Sequence, residues 1–184
     1  MRFLILSDIH ANLEALQAVL DDAAGRYERI LCCGDLVGYG ADPNAVTAWA
    51  RDHLAGIVRG NHDKICAGLG SMDWFTPRAQ AAARWTNREL EPSNLQYLLS
   101  LPQGPAFFDG VMLFHGSPQD EDDYLITTED VRRIAATLPP GVRFFGHTHV
   151  QGGFAVSWRG PQRIGRPAAG QSSSSLALLP DVVY

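Results

Sequence analysis

Short apolar segments that each end at a polar side chain constrain this chain more than any other feature of its sequence. Three of them occupy residues 3–6, 29–33 and 57–58. Continuous apolar runs of this length are typical of strands that are covered on both faces. Leu13, Leu16 and Leu20 form one helical stripe between the first two segments. Asp42-Pro43 is a favourable helix start before the third segment. This alternation predicts an α/β domain with parallel strands.

The remaining sequence predicts further helices and two hairpins. Helices are predicted from Thr76 to about Leu90, from Ser93 to Leu99 and from Thr127 to Leu138, and a strand over residues 143–145. The Asp109-Gly110 pair between two apolar runs predicts a hairpin over residues 107–114, and a second hairpin is predicted over residues 154–164. Because 184 residues fit one domain, residues 1–184 are interpreted as a single domain with a helical, cap-like insertion around residues 70–100.

Composition and charge narrow the class of protein. A hydrophobic content of 46% and a charged content of 19% are ordinary for a soluble globular chain. The net charge of −5 disfavours nucleic acid as a partner, because sequence-independent binding to phosphates needs basic surface. The apolar run Phe3–Leu6 is too short for a signal peptide or a membrane span, so we expect a cytoplasmic protein without membrane contact. The three cysteines lack zinc-site spacing and are predicted to be buried free thiols.

Polar residues with metal-binding side chains follow the predicted strands. They are Asp8, His10, Asp35, Asn61, His62, His115, His147 and His149. In open α/β sheets ligands bind at the carboxyl ends of the strands, so these side chains are expected to converge. A single histidine is more often a hydrogen-bonded structural residue, but five of the six histidines lie in these segments. Oxygen and imidazole donors without thiolate suit Mn, Fe, Zn, Co or Ni, and suit two metals that share a carboxylate.

The order of the motifs resembles a known family. The motifs are Asp8-x-His10, Gly34-Asp35, Gly60-Asn61-His62-Asp63, His115-Gly116 and Gly146-His147-x-His149. Together they resemble the signature of the calcineurin-like metallophosphoesterases, over residues 3 to about 150. Residues 7–16 resemble the small bacterial phosphodiesterase branch of that family. The resemblance implies two mixed β-sheets packed as a sandwich and flanked by helices, a four-layer fold.

The same resemblance implies a role for each residue. Asp8, His10 and His149 would hold one divalent ion, and Asp35 would bridge to the second. The second ion would be completed by Asn61, His115 and His147. His62 would not bind metal; it would face the substrate beside Asn61 and stabilise or protonate the leaving oxygen.

The activity implied by the resemblance is hydrolysis of phosphodiesters or small nucleotide and phosphate esters through a metal-bridging hydroxide. Two divalent ions beside Asp8 and Asp35 would form a local positive site in an acidic protein. The loop after Asp35 contains no arginine, unlike that of the related protein Ser/Thr phosphatases, which disfavours a protein-phosphatase role. A nuclease is disfavoured by the lack of a basic stripe. The oligomeric state stays open.

The alternative interpretation is a scaffold or binding module on the same fold, with little or no catalysis. Scaffolds of this kind usually lose the leaving-group histidine or metal ligands, whereas His62 and all seven presumed ligands are present, which favours an enzyme. One departure concerns the segment after the last motif. Relatives commonly have Asn-Pro-Gly-Ser there, but this chain has Arg-Pro-Ala-Ala-Gly at 166–170, which puts the usual substrate wall in doubt.

Three residues beside the motifs have two possible roles each. Asp63 could orient His62, or it could make a structural hydrogen bond near the turn. Tyr39, flanked by two glycines, could line the pocket or pack the turn. The Arg59 side chain could face either towards the site or away from it.

Overall fold

A computed structural model describes residues 1–165 of the chain, so the departing segment at 166–170 lies outside the described residues. The strands of the described part are β1 (Phe3–Leu6), β2 (Arg29–Cys32), β3 (Leu54–Ile57), β4 (Ala106–Phe108), β5 (Val111–Leu113), β6 (Arg143–Phe144), β7 (Gly153–Ser157) and β8 (Gly160–Ile164). Its helices are α1 (Leu13–Ala23), α2 (Pro43–His53), α3 (Asn61–Cys66), α4 (Pro77–Glu89), α5 (Pro92–Ser100) and α6 (Thr128–Ala135).

The first sheet has the order β1-β2-β3, and all of its pairs are parallel. Leu6 is opposite Cys32, and Cys32 is opposite Ile57, so the three strands end at one edge. The backbone continues this pairing beyond the strands, because Cys33 donates to the Leu6 carbonyl and Val58 to the Cys32 carbonyl. The three N-terminal motifs therefore leave the sheet side by side.

The second sheet has the order β4-β5-β6 and mixes strand directions. β4 and β5 form the hairpin predicted at Asp109-Gly110, with Phe107 opposite Met112. β6 runs parallel to β5, and Leu113 is opposite Phe144. The family resemblance implied two mixed sheets; in residues 1–165 the second is mixed and the first is parallel throughout. β7 and β8 form a separate antiparallel pair.

Three apolar cores hold four layers together, which confirms the predicted sandwich with helices outside. Leu31, Val58 and Leu113 are buried between the two sheets. The outer face of the first sheet packs against helices through a larger core that includes Val46. The outer face of the second sheet packs against α6 through a smaller core that includes Ile134. Burial of such side chains supplies the main stabilising free energy, about 25 cal/mol per Å² of apolar surface.

Local capping explains several helix starts. The Asn12 side chain accepts a hydrogen bond from the Ala15 amide at 3.0 Å at the start of α1. Thr127 and Asp130 form a capping box at the start of α6. That helix ends at Ala135, before the predicted Leu138, because the residue preceding Pro139 is disfavoured in helical conformation.

The region around residues 70–100 carries α4 and α5. Ala83 of α4 and Leu98 of α5 are completely buried and belong to the same core as α2. The preceding segment differs, since Trp74 is 95% exposed. The helices themselves thus contribute to the main core, and the segment before α4 lies at the surface.

Among residues 1–165, no helix has the length and apolar character that a membrane crossing requires. The three cysteines are buried and form no disulfide, as predicted.

Candidate metal centre

The predicted ligands lie on tight loops at the carboxyl ends of the strands. Several of them have left-handed backbone conformations, namely Asp8 (φ 55°), His10 (φ 51°), Asp35 (φ 56°), His147 (φ 67°) and His149 (φ 53°). This conformation is uncommon for residues with a side chain and costs about 1–3 kcal/mol in sparsely populated regions. Such strain clusters at functional sites, because the fold must hold these residues against their own preference.

Two glycines allow the loops to approach each other. A Cβ atom at Gly60 would collide with the carboxylate and the amide of Asp35. A Cβ atom at Gly146 would collide with the Ser7 hydroxyl and the Asp8 carboxylate. The glycines of the motifs therefore serve close packing between neighbouring loops.

One group of possible ligands consists of Asp8, His10 and His149, whose ligand atoms all lie within 4.8 Å of one another. His10 Nε2 is 3.0 Å from His149 Nε2, and His149 Nε2 is 3.3 Å from Asp8 Oδ1. His10 Nδ1 is 3.1 Å from the Val37 carbonyl oxygen, which can only accept a hydrogen bond. Nδ1 is therefore the donor, and Nε2 keeps a lone pair directed into the group.

A second group consists of Asp8, Asp35 and His115. His115 Nδ1 donates to the Cys33 carbonyl at 2.8 Å, which fixes its tautomer in the same way. Its Nε2 atom lies 3.3 Å from Asp35 Oδ2 and 3.2 Å from Asn61 Oδ1. Asp35 Oδ2 is also 3.6 Å from His10 Nε2. The Asp35 carboxylate thus belongs to the second group and also lies close to His10 of the first.

His147 lies at the edge of the second group. Its backbone amide donates to Asp8 Oδ1 at 3.0 Å, and its ring centroid is 5.1 Å from that of His115. Its Nε2 atom is buried and has no hydrogen-bond partner among the described residues. A buried nitrogen of this kind fits a metal ligand, since an unpaired polar atom is otherwise costly.

His62 lies beside the ligand groups, between two aromatic rings. Its ring centroid is 4.5 Å from that of Tyr39, 4.6 Å from that of Phe75 and 4.9 Å from that of His10. Its backbone amide donates to Asp35 Oδ1 at 2.9 Å. Burial lowers the pKa of His62 to about 4, so its imidazole is neutral near pH 7. Tyr39, half-exposed, thus borders the site and packs against its histidines.

The Asp63 carboxylate binds backbone amides of two loops. It accepts hydrogen bonds from the amides of Asp35 (2.9 Å), Gly60 (3.0 Å) and Val37 (3.2 Å). Burial and the nearby Asp35 charge raise the pKa of Asp63 to about 7. Of the two roles considered for Asp63, the structural hydrogen bond is the one observed in the described part of the chain.

Arg59 faces away from the ligand groups and binds Glu121. The guanidinium contacts the Glu121 carboxylate at 2.9 and 3.2 Å, and Lys64 Nζ lies 3.2 Å from the same carboxylate. The Glu121 side chain is only 1% exposed. This ion-pair network joins the loop after His115 to the segment that carries Asn61. The network therefore connects the segments that follow β3 and β5.

We expect Glu121→Ala to lower the free energy of unfolding by about 3 kcal/mol, because it leaves the Arg59 guanidinium near the interior without its counter-charge, whereas Lys64 keeps Asp122. Urea denaturation of the metal-free chain measures this change. Asp122→Ala is the matched control, since Asp122 pairs with Lys64 at 2.7 Å but is 43% exposed. That substitution should cost less than about 1 kcal/mol. Equal losses of unfolding free energy in the two variants would contradict the expectation that the buried Glu121 contributes more than the exposed Asp122.

Asp35 and His115 influence each other's ionisation. Burial would raise the pKa of Asp35, but the positive charge of His115 holds it well below its usual range. Burial would lower the pKa of His115, but Asp35 raises it to about 9. In the metal-free protein the pair is therefore ionic at pH 7.

This ion pair predicts how the stability of the metal-free chain depends on pH. Because the folded pKa of His115 is about 9 and its ordinary value is 6.5, the folded chain holds a proton that the unfolded chain releases between these values. Its contribution is complete below pH 6.5 and is lost as the pH rises through 9. We expect the melting temperature in chelator to fall between pH 7 and pH 9. Stability that rises over this range in the wild type, or falls equally in His115→Gln, would contradict the pairing.

Two carboxylates, one amide oxygen and four imidazoles make a donor set that fits the divalent ions of the first transition series. Hydrogen bonds from Nδ1 leave Nε2 of His10 and His115 available for a metal ion, and Nε2 of His147 has no hydrogen-bond partner within residues 1–165. The residues present therefore fit two divalent ions.

Comparison with known proteins agrees with this chemistry. A model of the calcineurin-like phosphoesterase family matches residues 1–151. The chain belongs to this family. It is a family of metal-dependent phosphoesterases, which confirms the family resemblance, the fold class and, at that level, the assignment as a hydrolase.

Two relatives support the assignment. A metallophosphoesterase of Sphaerobacter thermophilus of known crystal structure is 37% identical, with a TM-score of 0.74 that covers 88% of this chain and 68% of that one. An uncharacterised protein of Methanocaldococcus jannaschii is 36% identical over 154 residues, 79% of this chain and 61% of that protein. The chain thus spans about three fifths of the length of this curated relative.

Two residues near the site were not predicted from the sequence. Glu121 lies in the run Gln-Asp-Glu-Asp-Asp at 119–123, which by composition resembles a solvated acidic loop. Tyr124 follows it, and its ring centroid is 4.0 Å from that of His147. No local signal distinguishes either residue, because both acquire their partners from distant parts of the chain.

Proposed function

We propose that the chain is a binuclear metal-dependent phosphoesterase that hydrolyses phosphodiesters or small nucleotide esters. One observation carries the proposal. His10 and His115 each donate Nδ1 to a backbone carbonyl and direct Nε2 towards Asp35 Oδ2, at 3.6 and 3.3 Å. A carboxylate oxygen close to two imidazole nitrogens whose tautomers are fixed is an arrangement that suits two neighbouring ions.

The proposed ligand set is that implied by the family resemblance. Asp8, His10 and His149 would hold one ion, Asn61, His115 and His147 would hold the second, and Asp35 would be shared by both. Two such ions, of Mn, Fe, Zn, Ni or Co, would supply Lewis acidity and lower the pKa of water at the centre. Hydrogen bonds to the Val37 and Cys33 carbonyls orient the His10 and His115 rings before a metal ion binds.

His62 and Asn61 are the proposed substrate contacts. The Asn61 amide lies beside His115, and the His62 ring lies beside His10 but in neither ligand group. A neutral imidazole at this place can donate an N–H hydrogen bond to the leaving oxygen, which stabilises the charge that develops as the P–O bond breaks. The tilted rings of Tyr39 and Phe75 hold His62 in position from two sides.

The charges around the site support a small substrate. Arg59 is occupied by Glu121, and the loop 36–40 contributes no arginine. Neutralisation of the substrate phosphate therefore falls to the metal centre, in a protein whose net charge of −5 does not attract polyanions. A short phosphodiester fits these conditions better than a nucleic acid or a phosphorylated protein.

The test is hydrolysis of bis(p-nitrophenyl) phosphate and p-nitrophenyl phosphate by the intact chain, with Mn²⁺ or with chelator. We expect metal-dependent release of nitrophenol, with the diester preferred. Failure with every one of the five candidate metals would contradict the proposal. Retention of bound metal in such an inactive protein would instead support a scaffold.

A further inference from the structure

Two half-exposed tyrosines border the mouth of the metal centre. Tyr39 is 49% exposed and packs against His62 and His10. Tyr124 is 52% exposed, and its ring lies over His147 with an interplanar angle of 35°. The two tyrosines therefore border the metal centre at different histidines.

The two tyrosines would contact different parts of the substrate, because His62 is the proposed contact of the leaving oxygen. The leaving group then lies on the side of Tyr39 and Phe75, whose rings enclose His62. His147 lies at the edge of the second ligand group, and the Tyr124 ring packs against it. In a phosphodiester the substituent that stays on phosphorus lies beside the axis that joins the attacking and leaving oxygens. Tyr124, which packs against His147, is an exposed ring available to that substituent.

Two further exposed apolar side chains lie within two residues of Tyr124 and of His149 in the chain. Ile126 is 43% exposed and Val150, directly after His149, is 47% exposed. Ile126 and Val150 line one shallow depression together with Phe154. We call Tyr124, Ile126 and Val150 the apolar strip. Exposed apolar side chains that adjoin one another beside a polar centre are typical of a ligand-binding surface.

The loop holds Tyr124 in place before any ligand arrives. Asp123 pairs with Arg133 of α6 at 3.2 Å, and the Ile126 amide donates to Asp130 of the same helix at 3.1 Å. Leu125 between them is 3% exposed. Because the residues on both sides of Tyr124 are attached to the core, little conformational entropy remains to be lost on binding.

We propose that the apolar strip binds the ester group that remains on phosphorus, and that it selects diesters in which this group carries a flat ring, such as a nucleoside. One face of the Tyr124 ring is covered by His147, and the other can stack on the substrate. The inference rests on the proposed phosphoesterase function and adds the class of substituent that the site prefers.

Two diesters with the same leaving group test the proposal. Thymidine 5′-(p-nitrophenyl) phosphate and methyl p-nitrophenyl phosphate both release p-nitrophenol at His62, and they differ only in the group that stays. The measured quantity is the ratio of their kcat/KM values in the Mn²⁺-loaded chain. Any disturbance of His147 by a substitution affects both esters and cancels in this ratio.

We expect Tyr124→Ala to lower the ratio about tenfold, the effect of one lost stacking contact, and Tyr124→Phe to preserve it. Trp158→Ala is the matched control, because Trp158 is 88% exposed in the β7–β8 turn. A ratio unchanged in Tyr124→Ala, or lost equally in Tyr124→Phe, overturns the stacking role and leaves the phosphoesterase intact. Absence of Mn²⁺-dependent turnover of both esters in the wild type contradicts the proposed function and the inference together.

Discussion

Replacement of Asp35 by asparagine is expected to lower kcat/KM for a phosphodiester by about 10³-fold. Asp35 is 1% exposed, and one of its oxygens lies within 3.6 Å of His10 Nε2 and within 3.3 Å of His115 Nε2. Loss of its charge would remove the proposed bridging ligand, and metal ions contribute several kcal/mol of transition-state stabilisation. About 4 kcal/mol corresponds to the expected factor. The fold should persist, since an amide oxygen can still accept from the His62 amide.

Steady-state kinetics and metal analysis of the purified variant measure this effect. Asp109→Asn is the matched control, because Asp109 is a carboxylate in the β4–β5 turn, 46% exposed and paired with Arg29. The control should keep wild-type activity and two ions. An Asp35→Asn protein that retains activity within about threefold would show that this carboxylate does not bridge.

Replacement of His62 by alanine is expected to have an effect that depends on the leaving group. A donor to the leaving oxygen typically contributes 10²–10⁴-fold, so hydrolysis of a dinucleotide, which expels a sugar alkoxide, should fall by about 10³-fold. Release of p-nitrophenolate should fall much less, because this anion is stable without a proton. Metal content should not change, since His62 belongs to neither ligand group.

The comparison needs both substrates and one control. His53→Ala removes a histidine of α2 whose Nδ1 contacts the Trp49 carbonyl, and it should change neither rate. Equal losses for the two substrates in His62→Ala would indicate that the residue shapes the pocket without assisting the leaving group. Loss of bound metal would indicate that it is a ligand.

The sequence predicted the elements that depend on local patterns. Continuous apolar runs identified β1 and β2, and the Asp109-Gly110 turn identified the β4–β5 hairpin, because strand and turn preferences act over a few residues. The expected convergence of strand-end side chains followed from the parallel order, which places those ends at one edge. The assignment of each ligand to one of the two metal ions came from the family resemblance.

The sequence did not predict features that depend on distant contacts. α3, over residues 61–66, has no apolar stripe long enough to indicate a helix, and Asp63 at its start binds amides across two loops. β3 begins at Leu54, earlier than expected, since α2 leads directly into the strand. Glu121 lies in an acidic run, and its burial is compensated by ion pairs with Arg59 and Lys64, which are distant in the sequence.

The most direct test of the binuclear account is a titration of the metal-free chain with Mn²⁺ in which bound ions and diester turnover are measured together. We predict two ions per chain, a spin-coupled signal in electron paramagnetic resonance, and activity that reaches its maximum only when both sites are filled. Full activity with one ion per chain, or two bound ions without turnover, would contradict the account.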